Sequence, residues 1–170
     1  MEHSAAAVRA DSLPDHTERH ADGSRVNAHA EKIAAYRRPE VIEQYDDSRW
    51  GTRRRARGDQ LEWRTLRKAL AVVNNVRTLL DLPCGTGRFT KRLGDAGYVV
   101  TGADASCGMI GKALEKPGMC ASFVCTDAMH LPYPDRSFDC VISARFLFHF
   151  DQPARLRLIR EMARVSSRWL

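Results

Sequence analysis

The sequence predicts an α/β fold, a parallel sheet with flanking helices. Three observations carry that prediction. After Asn75, short apolar runs alternate with amphipathic segments of helical length, as β-α-β units with right-handed crossovers require. A glycine loop, Asp81-Leu-Pro-Cys-Gly-Thr-Gly87, directly follows the first apolar run. Asp81, Asp104 and Asp127 each fall at, or within a residue or two of, the end of a successive run, where parallel sheets bind their ligands.

The elements follow in order. Residues 1–23 are small and polar and are expected to be poorly ordered. His16 and His20 lie four apart, but no third ligand accompanies them, so no metal site is expected. Residues 24–75 read as helices: one over 25–36, one over 39–46, where Pro39 suits a first helical position, and a longer one. The longer helix carries Trp63, Leu66, Leu70 and Val73 as a single apolar stripe.

Strands are expected over 77–82, 98–103, 121–126 and 138–143. Between the first two, a helix from Gly87 to Ala96 turns Phe89 and Leu93 inward, with Gly97 at its C-terminal cap. Ser106 caps a helix towards Glu115 that Pro117-Gly118 ends. Asp151 caps a last helix, whose apolar positions are Leu156, Ile159, Met162 and Ala163. Four complete strands, ordered 3-2-1-4, leave the fourth with an open apolar edge, a liability or a surface for dimerisation.

Composition bounds the function classes. A chain of 170 residues, 44% hydrophobic and 28% charged, has room for one domain with a real core. It has no apolar run of about 18 residues to span a membrane, and no secretory-type leader. Cys84, Cys107, Cys120, Cys125 and Cys140 are dispersed, odd in number and without a Cys-x-x-Cys pair. They read as free thiols of a cytoplasmic protein. Much of the +6 net charge sits at Arg49, Arg53, Arg54, Arg55, Arg57, Arg64, Arg67 and Lys68. A solvated basic face is the expected reading, since no aromatic residues interleave with the arginines; nucleic acid or an anionic lipid or sugar is the alternative.

The glycine loop needs its glycines for backbone reasons. Gly85 and Gly87 permit positive φ and close approach to a ligand, and the next helix offers free N–H groups. A dinucleotide site would place a third glycine where Thr90 stands, so a pyrophosphate fits poorly.

Leu79-Leu-Asp-Leu-Pro-Cys-Gly-Thr-Gly-Arg-Phe89 is similar to motif I of the class I S-adenosylmethionine-dependent methyltransferases. The resemblance continues, in order and at the right spacings, through Val100–Ser106, Asp127-Ala128, Leu131–Asp139 and Arg160–Val165, covering roughly residues 76–170. It implies a Rossmann-like domain over 76–170 that binds S-adenosyl-L-methionine, preceded by N-terminal lid and packing helices over 24–75. The small-molecule branch, which includes quinone-biosynthesis enzymes, is the nearest in kind.

Carried over residue by residue, Asp81 and the backbone of Pro83, Cys84, Gly85 and Gly87 would hold the methionine end of the cofactor. Pro83 replaces the commoner glycine, and a backbone carbonyl contact survives that change. Asp104, with Ala105 beside it, would receive the ribose hydroxyls, and Met109, Asp127 and Ala128 would border the adenine. Ala144 and Arg145 would border the sulfonium and the acceptor, and Tyr45 and Arg49 would touch the cofactor from the lid. His149 is the candidate base, with a structural histidine as the duller reading. Cys84 has no partner base and is not expected to act as a nucleophile.

The implied reaction moves a methyl group to an unidentified small-molecule or lipid-like acceptor. The alternatives are a catalytically silent S-adenosylmethionine-binding scaffold or fragment, an RNA methyltransferase, or a nucleotide-dependent oxidoreductase, which Thr90 disfavours. Enzymes of the resembling family continue past this point to a seven-stranded sheet. The sequence is therefore expected to lack C-terminal strands, as a truncated and weakly active or inactive piece.

Overall fold

The computed structural model describes residues 34–170. The polar tail over 1–23, the His16 and His20 pair and most of the 25–36 helix lie outside the described residues. From Pro39 onward the chain enters through α1 (Pro39–Glu43), α2 (Tyr45–Trp50) and α3 (Arg53–Val72). The one helix expected over 39–46 is thus two short ones, parted at Gln44. α3 starts well before the apolar stripe because the Thr52 side chain caps it, accepting from the Arg55 N–H.

The α/β unit then runs β1 (Thr78–Asp81), α4 (Arg88–Asp95), β2 (Val99–Asp104), α5 (Cys107–Leu114), β3 (Ser122–Cys125) and β4 (Phe138–Ile142). A 3-10 turn over Leu147–His149, α6 (Gln152–Val165) and β5 (Ser166–Trp169) complete it. Ser106 and Asp151 cap α5 and α6 as expected, accepting from the N–H groups of Met109 and Ala154.

All the pairings are parallel, in the order β3-β2-β1-β4-β5. The expectation of four strands is corrected by the fifth. Ser166-Ser-Arg-Trp169 has no apolar run, so its strand rests on backbone pairing, with Phe138 opposite Ser166 and Cys140 opposite Trp169. The apolar edge expected on β4 is therefore covered, and β5 is the edge on that side.

Successive strand residues face opposite sides of the sheet, so each side has its own core. On one, Leu80, Leu82 and Val141 pack with Leu158, Met162 and Val165. On the other, Leu79, Val100 and Ile142 pack with Leu70, Phe89 and Leu93, and the Trp63 and Phe89 rings stack 6.3 Å apart. The stripe expected on α3 is thus the face laid on the sheet.

α6 is rotated from its expected phase. Leu156 is 48% exposed and Ala163 is also exposed, while Leu158, Met162 and Val165 are buried. Spacings of three and four fit both sets, and packing against β1 and β4 selects the second. Arg164 of α6 donates to the Leu131 and Tyr133 carbonyls and pairs with Glu161, whose carboxylate accepts from the Leu131 N–H. The segment before β4 is pinned in this way, and Tyr133 meets Phe138 edge-on as a packing residue.

Five free thiols are not what the fold contains. Cys107, at the start of α5, and Cys125, at the end of β3, form a disulfide; Cys84, Cys120 and Cys140 are free. Parallel strands bring both residues to the same edge of the sheet although they are 18 apart in sequence. The cysteine argument for a reducing compartment falls with this correction. No helix among the described residues is long and apolar enough to cross a membrane.

Candidate functional site

The strand order reverses at β1 and β4, and the carboxyl ends of the strands there open on a cavity of about 440 Å³. Both the place and the size suit a small-molecule site. The cavity gathers Asp81, Pro83, Cys84 and Gly85 from the loop, Asp104 at the end of β2 with Ala105 after it, Met109 from α5, and Asp127 and Ala128 after β3. Ala144, Arg145 and His149 line its far wall, and Tyr45 and Arg49 its roof.

Gly87 is the one candidate the cavity does not include. Its φ is +73°, and a Cβ there would stand 2.8 Å from Ala113 Cβ and from Met119 Cε. Gly87 therefore lets the loop pack against α5. At Gly85, with φ +53°, a Cβ would meet no atom within 4 Å, so the missing side chain leaves open space.

Backbone bonds stitch the loop between strand ends: Leu82 N–H donates to Ile142 O and Cys84 N–H to Ala103 O, both at 2.9 Å. Asp104 completes the seam, one oxygen accepting from Gly85 N–H and the other from Ser106 N–H, each at 2.8 Å. Each carboxylate oxygen keeps lone-pair capacity for a second donor. Burial raises the Asp104 pKa above the ordinary carboxylate value, against the pull of those N–H groups. Asp127 lies at the surface, one oxygen accepting from Met129 N–H at 2.9 Å.

Asp81 is 2% exposed, and burial lifts its carboxyl to a pKa of about 6. The Thr90 hydroxyl donates to it at 2.6 Å. The residue that excluded a third glycine in the sequence thus orients the loop's acid. Burial, then the charges of Asp104 and Asp81, push the Cys84 thiol well above its usual range, so it stays protonated and inert.

The N-terminal helices close the roof. Arg49 donates to the Tyr36 hydroxyl at 2.8 Å and lies over the Tyr45 ring, which meets Tyr36 edge-on. Ser106 Oγ donates to Tyr36 O at 3.0 Å, and Arg37 to Ala105 O at 3.3 Å. Thr86 donates to Asp46 at 2.6 Å, and Lys116 pairs with Asp46 and Lys112 with Glu43, both at 2.8 Å. Burial raises the Tyr45 phenol above its ordinary value despite Arg49.

Sequence reasoning found Tyr45 and Arg49 but missed Tyr36, Trp50 and the aromatic wall of Phe146, Phe148 and Phe150. No periodicity marks these; their common feature is aromatic character beside a strand end or an N-terminal helix. Asp59 was also missed, hidden among arginines. It is 7% exposed and binds Arg88 and Arg92. Burial pushes its pKa up, but the two guanidinium groups outweigh this and hold it below the usual value.

Arg88 also pairs with Glu62 at 2.8 Å and sits over the Trp50 and Phe89 rings, 4.1 and 3.8 Å from their centroids. Arg145, itself at φ +57°, pairs with Glu62 at 2.9 Å. Arg88 and Arg145 are therefore committed to acids of α3, while the glycine loop is flanked by the carboxylates of Asp81 and Asp104. Such a loop repels a pyrophosphate and suits a ligand with a cationic centre and hydroxyl donors.

A parallel α/β fold with this loop and cavity defines a domain built to hold a nucleoside-type small molecule at its switch point. Residues 79–168, more than half of the 170, match the methyltransferase domain family, and the chain belongs to that family. It is 35% identical over 104 residues to "Probable tRNA methyltransferase 9B" of Homo sapiens, across 61% of this chain and 22% of that protein. It is 39% identical over 93 residues to the 27-O-demethylrifamycin SV methyltransferase of Amycolatopsis mediterranei, across 51% and 34%. The chain thus spans about a fifth to a third of the length of these curated relatives.

Among solved structures, the magnesium protoporphyrin IX methyltransferase of Synechocystis with bound SAM superposes with a TM-score of 0.66 at 18% identity. That superposition covers 82% of this chain and 72% of the other. The fold is the Rossmann-like fold of class I S-adenosylmethionine-dependent methyltransferases.

Proposed function

We propose that this chain binds S-adenosyl-L-methionine and forms the cofactor half of a methyltransferase acting on an apolar small molecule. The observation that carries the reading is the pair of carboxylates, Asp81 and Asp104, on one cavity with the open Gly85 backbone. In this reading Asp104 receives the ribose hydroxyls with its remaining lone pairs, and Met109, Asp127 and Ala128 border the adenine. Asp81 and the backbone of Pro83 to Gly85 hold the methionine end. Bound S-adenosylmethionine supplies an activated sulfonium methyl group, so the protein's work is alignment of acceptor and donor. In the same reading Ala144, Phe146 and Phe148, which line the cavity, form an apolar wall for the acceptor, and His149 beside them takes a proton from it.

Calorimetric titration with S-adenosylmethionine, S-adenosylhomocysteine and NADH tests the reading. The first two are expected to bind, and binding of NADH alone would overturn it. Binding without methyl transfer to a panel of phenols and quinones would favour a silent scaffold.

A pH dependence follows from Asp81. Its carboxyl must be ionised to attract the ligand's ammonium group, so affinity is expected to fall about tenfold between pH 7.5 and 5. In Asp81→Asn that dependence should vanish. The stability effect has the opposite sign. Because the folded pKa of about 6 lies above the ordinary 3.8, the ionised form opposes folding, and the penalty is relieved as pH falls through that window. Asp81→Asn is therefore expected to stabilise the unliganded protein at pH 7.5 by roughly 1–3 kcal/mol in urea denaturation.

A further inference from the structure

The geometry points to the outer face of α3 as a docking surface for the phosphodiester backbone of a nucleic acid. Arg53, Arg57, Arg64 and Lys68 follow one another at intervals of four, seven and four residues, and Arg67 stands three after Arg64. Helical periodicity puts all five on one stripe about 22 Å long. All five are exposed, while Trp63, Leu66 and Leu70 on the other side of the helix pack on the sheet.

Three features set this stripe apart from an ordinary solvated face. None of its five cations is in an ion pair among the described residues; single unpaired arginines occur elsewhere, as at Arg77 and Arg168, but here five adjoin on one helix face. The acids of α3, Asp59 and Glu62, are spent on Arg88, Arg92 and Arg145 and neutralise nothing on the stripe. The first turn of α3 carries three arginines and no acid, the reverse of what the helix dipole favours. Like charges at the i,i+3 and i,i+4 positions Arg53/Arg57, Arg64/Arg67 and Arg64/Lys68 also work against the helix. An anionic partner along the face relieves the like-charge pairs and the unfavourable place of Arg53 in the first turn.

The partner's chemistry follows from what the stripe lacks. Its members are four arginines and one lysine, and guanidinium groups grip phosphate oxygens in pairs. A membrane-binding helix needs a continuous exposed apolar face. Here the large apolar residues exposed on α3 are Leu61 and Val72, eleven positions apart. The stripe also has a direction. Arg53 stands three residues after Trp50, which lines the cavity, and α3 then runs towards the amino-terminal edge of the sheet, where β1 begins. A strand lying along α3 would have one end at the cavity mouth.

This inference goes beyond methyl transfer and does not depend on it. The test is fluorescence anisotropy of the full chain with labelled single-stranded RNA and duplex DNA between 50 and 200 mM salt. Vesicles containing phosphatidylserine form a separate arm. Micromolar binding at 50 mM salt is expected, with a log–log salt slope of about −3 or steeper on single-stranded RNA. The triple variant R57Q/R64Q/R67Q should bind more than tenfold more weakly and lose about two units of slope. Its circular dichroism and its affinity for S-adenosylhomocysteine should match the parent; R64E alone serves if the triple variant does not fold. No nucleic-acid binding, salt-independent binding, a variant equal to the parent, or binding to vesicles alone would each overturn the proposal. Loss of S-adenosylhomocysteine binding in the parent would sink the cofactor reading and leave this one standing.

Discussion

Asp104→Ala is expected to weaken S-adenosylhomocysteine binding at least about 100-fold, close to 3 kcal/mol. Two effects combine. The side chain ties Gly85 N–H and Ser106 N–H to the end of β2, and its remaining lone pairs face the cavity. Hydrogen bonds to a charged acceptor contribute roughly 1.5–3 kcal/mol each, and the alanine variant leaves both N–H groups without it. Asp104→Asn keeps one acceptor oxygen and sets an NH₂ against one of the two N–H groups, so a loss of about tenfold is expected from it. Calorimetry measures both affinities, and amide exchange at Gly85 and Ser106 reports whether the loop has come loose. An alanine variant that binds as well as the parent would show that Asp104 does not receive the ribose hydroxyls.

Gly87→Ala should be the costliest single-methyl change in the loop for stability. It asks a side chain to adopt φ +73° and drives its Cβ to within 2.8 Å of Ala113 Cβ. Met119 Cε, at the same distance, can swing away, but Ala113 is fully buried and fixed to α5. Left-handed strain and overpacking together are expected to cost roughly 2–4 kcal/mol. For a chain of this size, that corresponds to a Tm lower by roughly 5–15 °C. Gly97→Ala is the control: its φ is +92°, yet a Cβ there meets nothing within 4 Å. It should cost only the backbone strain, about 1 kcal/mol. Equal melting temperatures for the two variants would mean that the contact with α5 is unimportant.

Most of the site was legible because its residues sit where local pattern and chain direction coincide. Asp81, Asp104 and Asp127 close apolar runs, and any parallel sheet carries the ends of such runs to one edge. The resemblance in motif order supplied Met109, Ala128, Ala144 and Arg145, which local chemistry alone does not single out. What was not legible shares a different cause. Gly87 has a positive φ as Gly85 does, so the loop's sequence cannot say which glycine opens on the cavity and which packs on Ala113. Cys107 and Cys125 have no spacing motif, and only the pairing of β2 with β3 brings them together. Asp59 looks like one acid diluted in arginines until α3 is laid on the sheet and turns it towards Arg88 and Arg92.

By itself, then, the sequence determined the α/β class, the strand-loop-helix at Asp81 to Gly87 and the inward face of α3. These depend on hydrophobic periodicity and backbone freedom, both of which are local properties. Tertiary structure decided the fifth strand, the phase of α6, the Cys107–Cys125 bond and the pairing of Arg88, Arg92 and Arg145 with acids of α3. These depend on which neighbour a surface meets, and Ser166-Ser-Arg-Trp169 becomes a strand only because β4 offers it an edge.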